Sequence, residues 1–417
     1  MKKKKILIHS LIFSPDGVST AYLYNDIALR FQREGYDVVV LTTTPHFNVL
    51  AEQLAAQPLR WRIYGLFKES RFHGIRIIHV PQKKFQSTAL RILGFIYWHI
   101  ISFILALFQR HIDVILSPSP PLSIGFLNLI LGWLKGCKVV YNVQEIYPDI
   151  LGLPEGLLTA FLKKVERTIY NHSDAVTTID EVFYRTIAPR FSDVNRLHII
   201  PNFVDTDLYL PVAPDGLDDH LFPRTPSLKL LYAGNIGHAQ DWEPLVALAD
   251  RLRHSDIDFF VIGMGARRAW LEEQKTSLHL DRLHLLDYQP RHLMPQILAY
   301  SDLQFIFMSP DCDMMGFPSK VYTIMACAKP LLICSGNNTP IVNFTRPLQC
   351  AHIVTTPDTS ARVDDMAQWL TAVSRDDLRR MGARGLQLIQ TQYTKDIITH
   401  QYVELIDGLL NSDDLKH

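Results

Sequence analysis

Short apolar runs alternate with helix-length amphipathic segments along almost the whole chain, and this rhythm restricts the fold more than any other feature. Runs at 6–11, 38–42, 75–80, 114–117, 138–142, 175–178 and 197–200 are too continuous in Val, Ile and Leu to have one wet face. They predict strands buried on both sides. Helical stretches near 19–34, 87–109, 122–135, 156–171 and 180–188 separate them, which implies a parallel sheet covered by helices on both faces. A polar, Pro-containing stretch at 211–227 interrupts the rhythm and reads as the domain boundary region. Strands are then predicted at 229–233, 259–263, 283–286, 303–307, 331–334 and 351–354. The chain therefore reads as two doubly wound, parallel-sheet α/β domains in tandem, 1–205 and 206–393. A last helix, 394–417, is expected to pack back on the first domain. Open α/β sheets bind ligands beyond the carboxyl ends of their strands, so two such domains predict a site in the cleft between them.

Charge and cysteine usage narrow the function. Lys+Arg and Asp+Glu both total 42, so there is no basic excess of the kind a phosphate-backbone binder carries, and nucleic acid is excluded as a partner. The local exception is a basic N-terminus, Lys2, Lys3, Lys4 and Lys5. Five cysteines with no C-x-x-C spacing predict neither a disulfide framework nor a zinc site, and a reducing cytoplasm fits. The apolar run after the lysines is broken by His9 and Ser10 and has no cleavage site, so it reads as a first strand, not a signal peptide. Residues 92–108 contain no Asp, Glu, Lys or Arg. Three readings stand for them: a helix packed on the domain core, a helix lying at a membrane surface, or a membrane span.

The segment Gly316-Phe317-Pro318-Ser319-Lys320 leads into a short helix that ends before Lys329-Pro330. Pro suits the first turn of a helix and Ser its cap. Free N–H groups, a Ser hydroxyl and a Lys ammonium together suit a diphosphate; an ordinary capped helix suits the same residues. Three further loops follow predicted strands: Gly234-Asn235-Ile236-Gly237-His238, Gly263-Met264-Gly265, and Tyr288-Gln289 before Pro290. Glycine at these places permits either close ligand approach or a tight turn. In the first domain, Asp16-Gly17 follows the first strand, where Asp is a turn former and Gly17 would let a ligand approach the backbone. Glu145 follows the strand at 138–142; it either serves as an acid–base group or, with Asp149 as the other candidate, caps the next helix. Asp311-Cys312-Asp313 has the spacing of a metal-binding pair but reads as a loop.

The order of these motifs resembles the family 4 glycosyltransferases, which have the GT-B fold of two Rossmann-like domains. Tyr232-Ala233-Gly234 with Gly237 is similar to the family's YAGxxG loop, and Gly263-Met264-Gly265 to its GxG segment. Lys320 to Pro330 is similar to the xxEAMAxGkP signature, and Ile200-Pro201-Asn202 with Val204-Asp205 to IPNxVD. Pro318-Ser319-Lys320 and Gln144-Glu145 resemble a subgroup that makes bacterial surface polysaccharides, of the fucosamine and colanic-acid type. The resemblance implies a retaining, metal-independent hexosyltransferase with no cofactor. Its donor, a nucleotide-diphosphate sugar, would meet Gly234, Asn235, Gly237, His238, Gly263, Gly265, Tyr288, Gln289, Pro318, Ser319, Lys320 and Thr323. Lys320 and Glu145 would be catalytic. Asp16 and Gly17 would hold a sugar or lipid-linked acceptor, with the protein cytoplasmic and in peripheral contact with the inner face of the membrane. Met315 and Thr323 stand where the family carries paired glutamates, His238 and Gln240 where it carries basic residues, and Gln144 where it carries His. These departures keep two other readings open, a non-catalytic GT-B scaffold or activator and a GT-B sugar-nucleotide epimerase.

Overall fold

The computed structural model describes residues 3–49, 51–82, 87–313 and 316–414. Lys2, Met315 and 415–417 of the predicted last helix lie outside the described residues. The chain divides into two units, Met1–Asn202 with Asp396–His417, and Phe203–Lys395.

The first unit is built on β1 (Lys5–His9), β2 (Asp37–Thr43), β3 (Arg60–Arg62), β4 (Phe67–Phe72), β5 (Ile75–Val80), β6 (Val114–Ser119), β7 (Lys138–Val143), β8 (Ala175–Thr178) and β9 (Leu197–Ile199). They lie in the order β3-β4-β5-β2-β1-β6-β7-β8-β9. Ile6, Leu7 and Ile8 of β1 are fully buried, as a strand between two helical layers must be. On one face Leu7, Leu41, Ile115 and Val139 pack with Trp98 and Ala106 of the helix Thr88–Leu107 and with Ile124 and Leu131 of the helix Leu122–Lys135. β1 pairs in parallel with β2 on one side and β6 on the other, so the strand order reverses there.

The sheet is not wholly parallel. β4 runs antiparallel to both β3 and β5, and β3 and β4 are absent from the strands predicted above. Lys68, Glu69 and Arg71 give β4 no apolar run to read. The turn signal was present, however. His73 (φ 45°) and Gly74 (φ 89°) form the two-residue, positive-φ turn that matches the twist of a hairpin.

The second unit holds β10 (Leu228–Ala233), β11 (Ile257–Ile262), β12 (Leu283–Leu286), β13 (Leu303–Phe307), β14 (Leu331–Cys334) and β15 (Ala351–Val354), in the order β12-β11-β10-β13-β14-β15. Every pairing is parallel. Alternate residues serve opposite faces. Leu230, Tyr232, Phe305 and Phe307 join Leu245 and Leu248 of the helix Glu243–Arg251. Ile306, Leu331 and Ile333 instead join Val321, Ile324 and Met325 of the helix Lys320–Ala326. Residues 211–227 lie inside this unit, not between the two. Phe222 is buried beside Phe260 and Tyr300 (ring centroids 6.5 and 5.3 Å), and the Tyr300 hydroxyl donates to the Pro223 carbonyl (2.8 Å).

The two ends of the second unit's chain are tied to each other. Val204 N–H donates to the Tyr393 carbonyl (3.2 Å), and the Lys395 ammonium holds Asp205 (2.6 Å) and Asp207 (2.7 Å). Beyond the second of these ends, the helix Lys395–Asp414 lies on the first unit. Asn142 of β7 donates to the buried Tyr402 hydroxyl (2.9 Å) and to Thr177 (2.8 Å), and accepts from Tyr24 (2.6 Å) and Gln144 (2.8 Å). All four hydrogen-bonding positions of that amide are filled.

Candidate functional site

In the second unit the strand order reverses between β10 and β13, the place where doubly wound sheets open a crevice at their carboxyl ends. Lys320 opens the helix that follows β13 and reaches across this point. Its ammonium donates to the Ala233 carbonyl at the end of β10 (3.1 Å) and stands over the Tyr232 ring, 3.7 Å from the centroid. No carboxylate pairs with it among the described residues. Desolvation alone pulls the amine down to about 7. A cation held by one carbonyl and one ring has donors to spare, and an arriving anion would restore its charge. Lys320 and Thr323 also line a cavity of about 160 Å³ with Tyr209, Tyr232 and Gln304.

Backbone shape explains the glycines nearby. A Cβ on Gly234 would lie 2.5 Å from the Lys320 ammonium, and one on Gly263 would lie 2.0 Å from the Gly234 carbonyl oxygen. The loops after β10 and β11 run backbone against backbone, with Gly234 N–H on the Ile262 carbonyl and Ile236 N–H on the Met264 carbonyl (both 2.9 Å). Gly265 abuts the Ile236 carbonyl and the Asn235 side chain, which also crowds Gly237. Gly263 and Gly265 are thus required by loop-on-loop packing (φ 140° and 159°). Arg268, which the sequence reading passed over, ties the same ends together. Its guanidinium donates to the carbonyls of Gly263 (3.1 Å), Leu286 (2.7 Å) and Leu285 (3.2 Å). The pair Arg267-Arg268, following Gly265-Ala266, was the available signal.

Gly234, Lys320, Gly263 and Gly265 are therefore brought together, with Asn235 and Gly237 beside them. His238 is exposed at the end of the first loop; after β12, Tyr288 is exposed and Gln289 half-buried. Ser319 departs from its expected role as a cap. Its backbone is already helical (φ −55°, ψ −21°), its side chain makes no capping bond, and its hydroxyl is exposed beyond Pro318. Asp313 accepts from Gly336 N–H (2.9 Å) and so fastens a neighbouring loop.

The first unit places carboxylates at the carboxyl ends of its strands. Asp16, in the loop after β1, is buried. One carboxylate oxygen accepts from His46 N–H (2.8 Å) and Phe47 N–H (2.7 Å), the other is buried without a partner, and burial raises its pKa. Gly17 fits because a Cβ would strike the Asn48 carbonyl at 2.4 Å. Glu145, in the loop after β7, is half-buried, and burial raises its pKa too. The Ser119 hydroxyl, from the end of β6, donates to the Glu145 carbonyl (3.4 Å). Neither Glu145 nor Asp149 caps the next helix. Gly156 stands at that cap with no side-chain bond, and Asp149 pairs with Arg190. Gln144 donates to Asn142 and accepts from Asn202 (2.9 Å), so it is built into the strand-end network.

Comparison with known proteins agrees with this division. The family model "Glycosyltransferase Family 4" matches residues 21–208 and "Glycosyl transferases group 1" matches 219–386. A relative in Escherichia coli (strain K12), named as a colanic acid biosynthesis glycosyl transferase, WcaI, is 23% identical over 342 residues, 77% of this chain and 81% of the relative. HepE of Anabaena, solved in complex with UDP, superposes with a TM-score of 0.72 at 13% identity, covering 97% of this chain and 100% of that one. WaaG, a glycosyltransferase involved in lipopolysaccharide biosynthesis, superposes with a TM-score of 0.63 at 13% identity, over 97% and 100% of the two chains. With one family model on each unit and both sheets doubly wound, the chain belongs to the family 4 glycosyltransferases of the GT-B fold.

Proposed function

We propose that the protein moves a sugar from a nucleotide-diphosphate sugar to an acceptor hydroxyl, with retention of configuration and no required metal, in the assembly of a polysaccharide or glycolipid. One observation carries the reading: the Lys320 ammonium stands at the end of β10 without a carboxylate partner among the described residues, over backbone that Gly234 keeps bare. As the sugar–phosphate bond breaks, negative charge grows on the departing diphosphate, and a fixed cation there lowers the barrier. In this reading the exposed Ser319 hydroxyl and the β10 loop complete the phosphate contacts, and Thr323, His238, Tyr288 and Gln289 contact the rest of the donor. Glu145, whose carboxyl is raised by burial, orients or deprotonates the acceptor, and Asp16 and Gly17 hold it. The acceptor is a sugar or lipid-linked saccharide, met in the cytoplasm at the inner face of the membrane. The names of relatives support this reading, since they include colanic acid and lipopolysaccharide biosynthesis. HepE was solved with UDP-glucose, which makes UDP-sugars the first donors to test.

Calorimetry with a panel of nucleotide sugars tests the assignment. Lys320→Ala should weaken donor binding by about 10- to 100-fold, the worth of a charge-assisted hydrogen bond. Unchanged affinity would sink it. A second reading, a GT-B scaffold without catalysis, is favoured by Thr323, His238 and Gln240 at positions where the family is charged. An assay of donor hydrolysis and sugar transfer separates the two.

A further inference from the structure

The helix Thr88–Leu107 has two unlike sides. Its inner side sinks Trp98, Ser102, Leu105 and Ala106 into the first unit. His99 is fixed there as well. Its Nδ1 donates to the Phe95 carbonyl (2.7 Å), so Nε2 accepts from Ser123 (2.8 Å) on the helix Leu122–Lys135. A span across a bilayer would tear these groups out of the core. The helix is nonetheless long and apolar enough to cross one (mean hydropathy 1.9), and only 28% of it is buried. Its outer side presents Ile96 and Ile100, 48% and 54% exposed.

That outer side does not stand alone. The helix Leu122–Lys135 packs between Thr88–Leu107 and Leu157–His172. It exposes Phe126 and Trp133 (81%), and the third helix exposes Leu157 (93%) and Phe161. Apolar surface running across three adjacent helices exceeds the scattered exposure of ordinary surfaces. Charge identifies what covers it. Neither of the first two helices contains Asp or Glu, and Arg91, Arg110, Lys135, Lys164 and Arg167 flank the face. Of the acids nearby, Glu166 is buried on Arg190 (2.5 Å), Asp149 also pairs with Arg190, and Glu155 lies 3.9 Å from Lys163. Glu155 is the exposed acid among these (side chain 97%), and the rim is otherwise basic. A predominantly basic rim disfavours a second copy of the same face and attracts anionic headgroups.

We propose that this three-helix face of the first unit docks flat on an anionic phospholipid bilayer. The apolar side chains enter the headgroup–acyl boundary and the basic ones meet the headgroups. Trp133 sits where membrane-interface tryptophans do.

The test is flotation of the full chain with vesicles of phosphatidylcholine, alone or mixed with phosphatidylglycerol, with no sugar nucleotide present. Its outcome is then independent of donor binding and transfer. The protein should float with the mixed vesicles, less with the neutral ones, and less at high salt. Trp133→Ser and the pair Leu157→Ser/Phe161→Ser lie outside the long apolar helix. Each should weaken partition roughly tenfold, as should Ile96→Ser/Ile100→Ser. Because these side chains are exposed, the melting temperature should not fall. Failure to float with mixed vesicles overturns the proposal. Loss confined to Ile96 and Ile100 overturns the three-helix face. A dimer seen by light scattering and dispersed by the same substitutions, without vesicle binding, assigns the face to a second copy instead.

Discussion

The two sheets treat the carboxyl ends of their strands in opposite ways. In the first unit the polar groups there are largely consumed by one another. Ser14 donates to Gln57 (2.7 Å), Gln57 to Ser70 (2.8 Å), and Ser70 to His79 (2.7 Å), whose other nitrogen donates to the Thr43 carbonyl (3.0 Å). Burial pulls His79 down to about 4, so the network stays neutral. Asn142 is saturated likewise. Among the groups left over are two carboxylates, Glu145 and one oxygen of Asp16, beside buried neutral groups such as His9 Nε2 and the Thr178 hydroxyl. In the second unit the strand ends are held mainly by backbone contact between glycine loops, and what is left over is the Lys320 cation. Rigid side-chain networks with spare carboxylates suit the handling of a neutral, hydroxyl-rich molecule. Bare backbone with a spare ammonium suits a diphosphate. On the proposed function, the groups each sheet leaves unused match the partner assigned to it.

Four changes would break or sharpen this contrast. The largest effect is expected from Glu145→Gln, which keeps the shape and removes the base. Turnover should fall by about 100-fold or more with little change in donor affinity; equal turnover in steady-state kinetics would end the catalytic assignment. Next comes Gly263→Ala, which drives a Cβ onto the Gly234 carbonyl oxygen at a left-handed φ. We expect a loss of about 3 kcal/mol in denaturant unfolding, whereas Gly35→Ala, also at a positive φ (91°) but with open space around it, should lose only the backbone strain, about 1–2 kcal/mol.

The third change is pH. Free Lys320 loses its proton near 7, while a bound diphosphate would hold the proton on. Donor affinity should therefore be greatest below pH 7 and weaken by up to about tenfold per unit above it, with proton uptake visible in calorimetry. Lys320→Arg should flatten that dependence. The smallest effect is Tyr402→Phe, which deprives Asn142 of one acceptor. It should lower stability by about 1 kcal/mol and leave donor binding by the second unit unchanged.

Much of this was legible in the sequence, for reasons that particular residues make plain. β10, β13 and β14 are apolar on both faces, so periodicity found them. β4 carries Lys68, Glu69 and Arg71 because it has a solvated side, and it escaped the same test. The stretch at 211–227 looked like a linker because prolines and polar residues dominate it, yet one aromatic, Phe222, is enough to bind it into the second core. Ser319 looked like a cap because composition reports a residue's preference, not its φ and ψ. The glycine loops were located correctly, but only coordinates reveal that Gly263 and Gly265 face neighbouring backbone. Thr88–Leu107 was legible as a long apolar helix. Which half of it faces inward was not, since both sides are equally apolar and Trp98 and His99 are told from Ile96 and Ile100 by contact alone.

The hydrogen bond between Asn142 and Tyr402 bears on how the molecule is made. A ribosome delivers Asn142 long before Tyr402, and the entire second unit emerges in between. The second unit, continuous in sequence, has all its strands in hand while the first still lacks the helix that fills the last positions of its central amide. The part synthesised first is therefore completed last, and a nascent chain halted before residue 395 would carry a first unit with an open seam along β7.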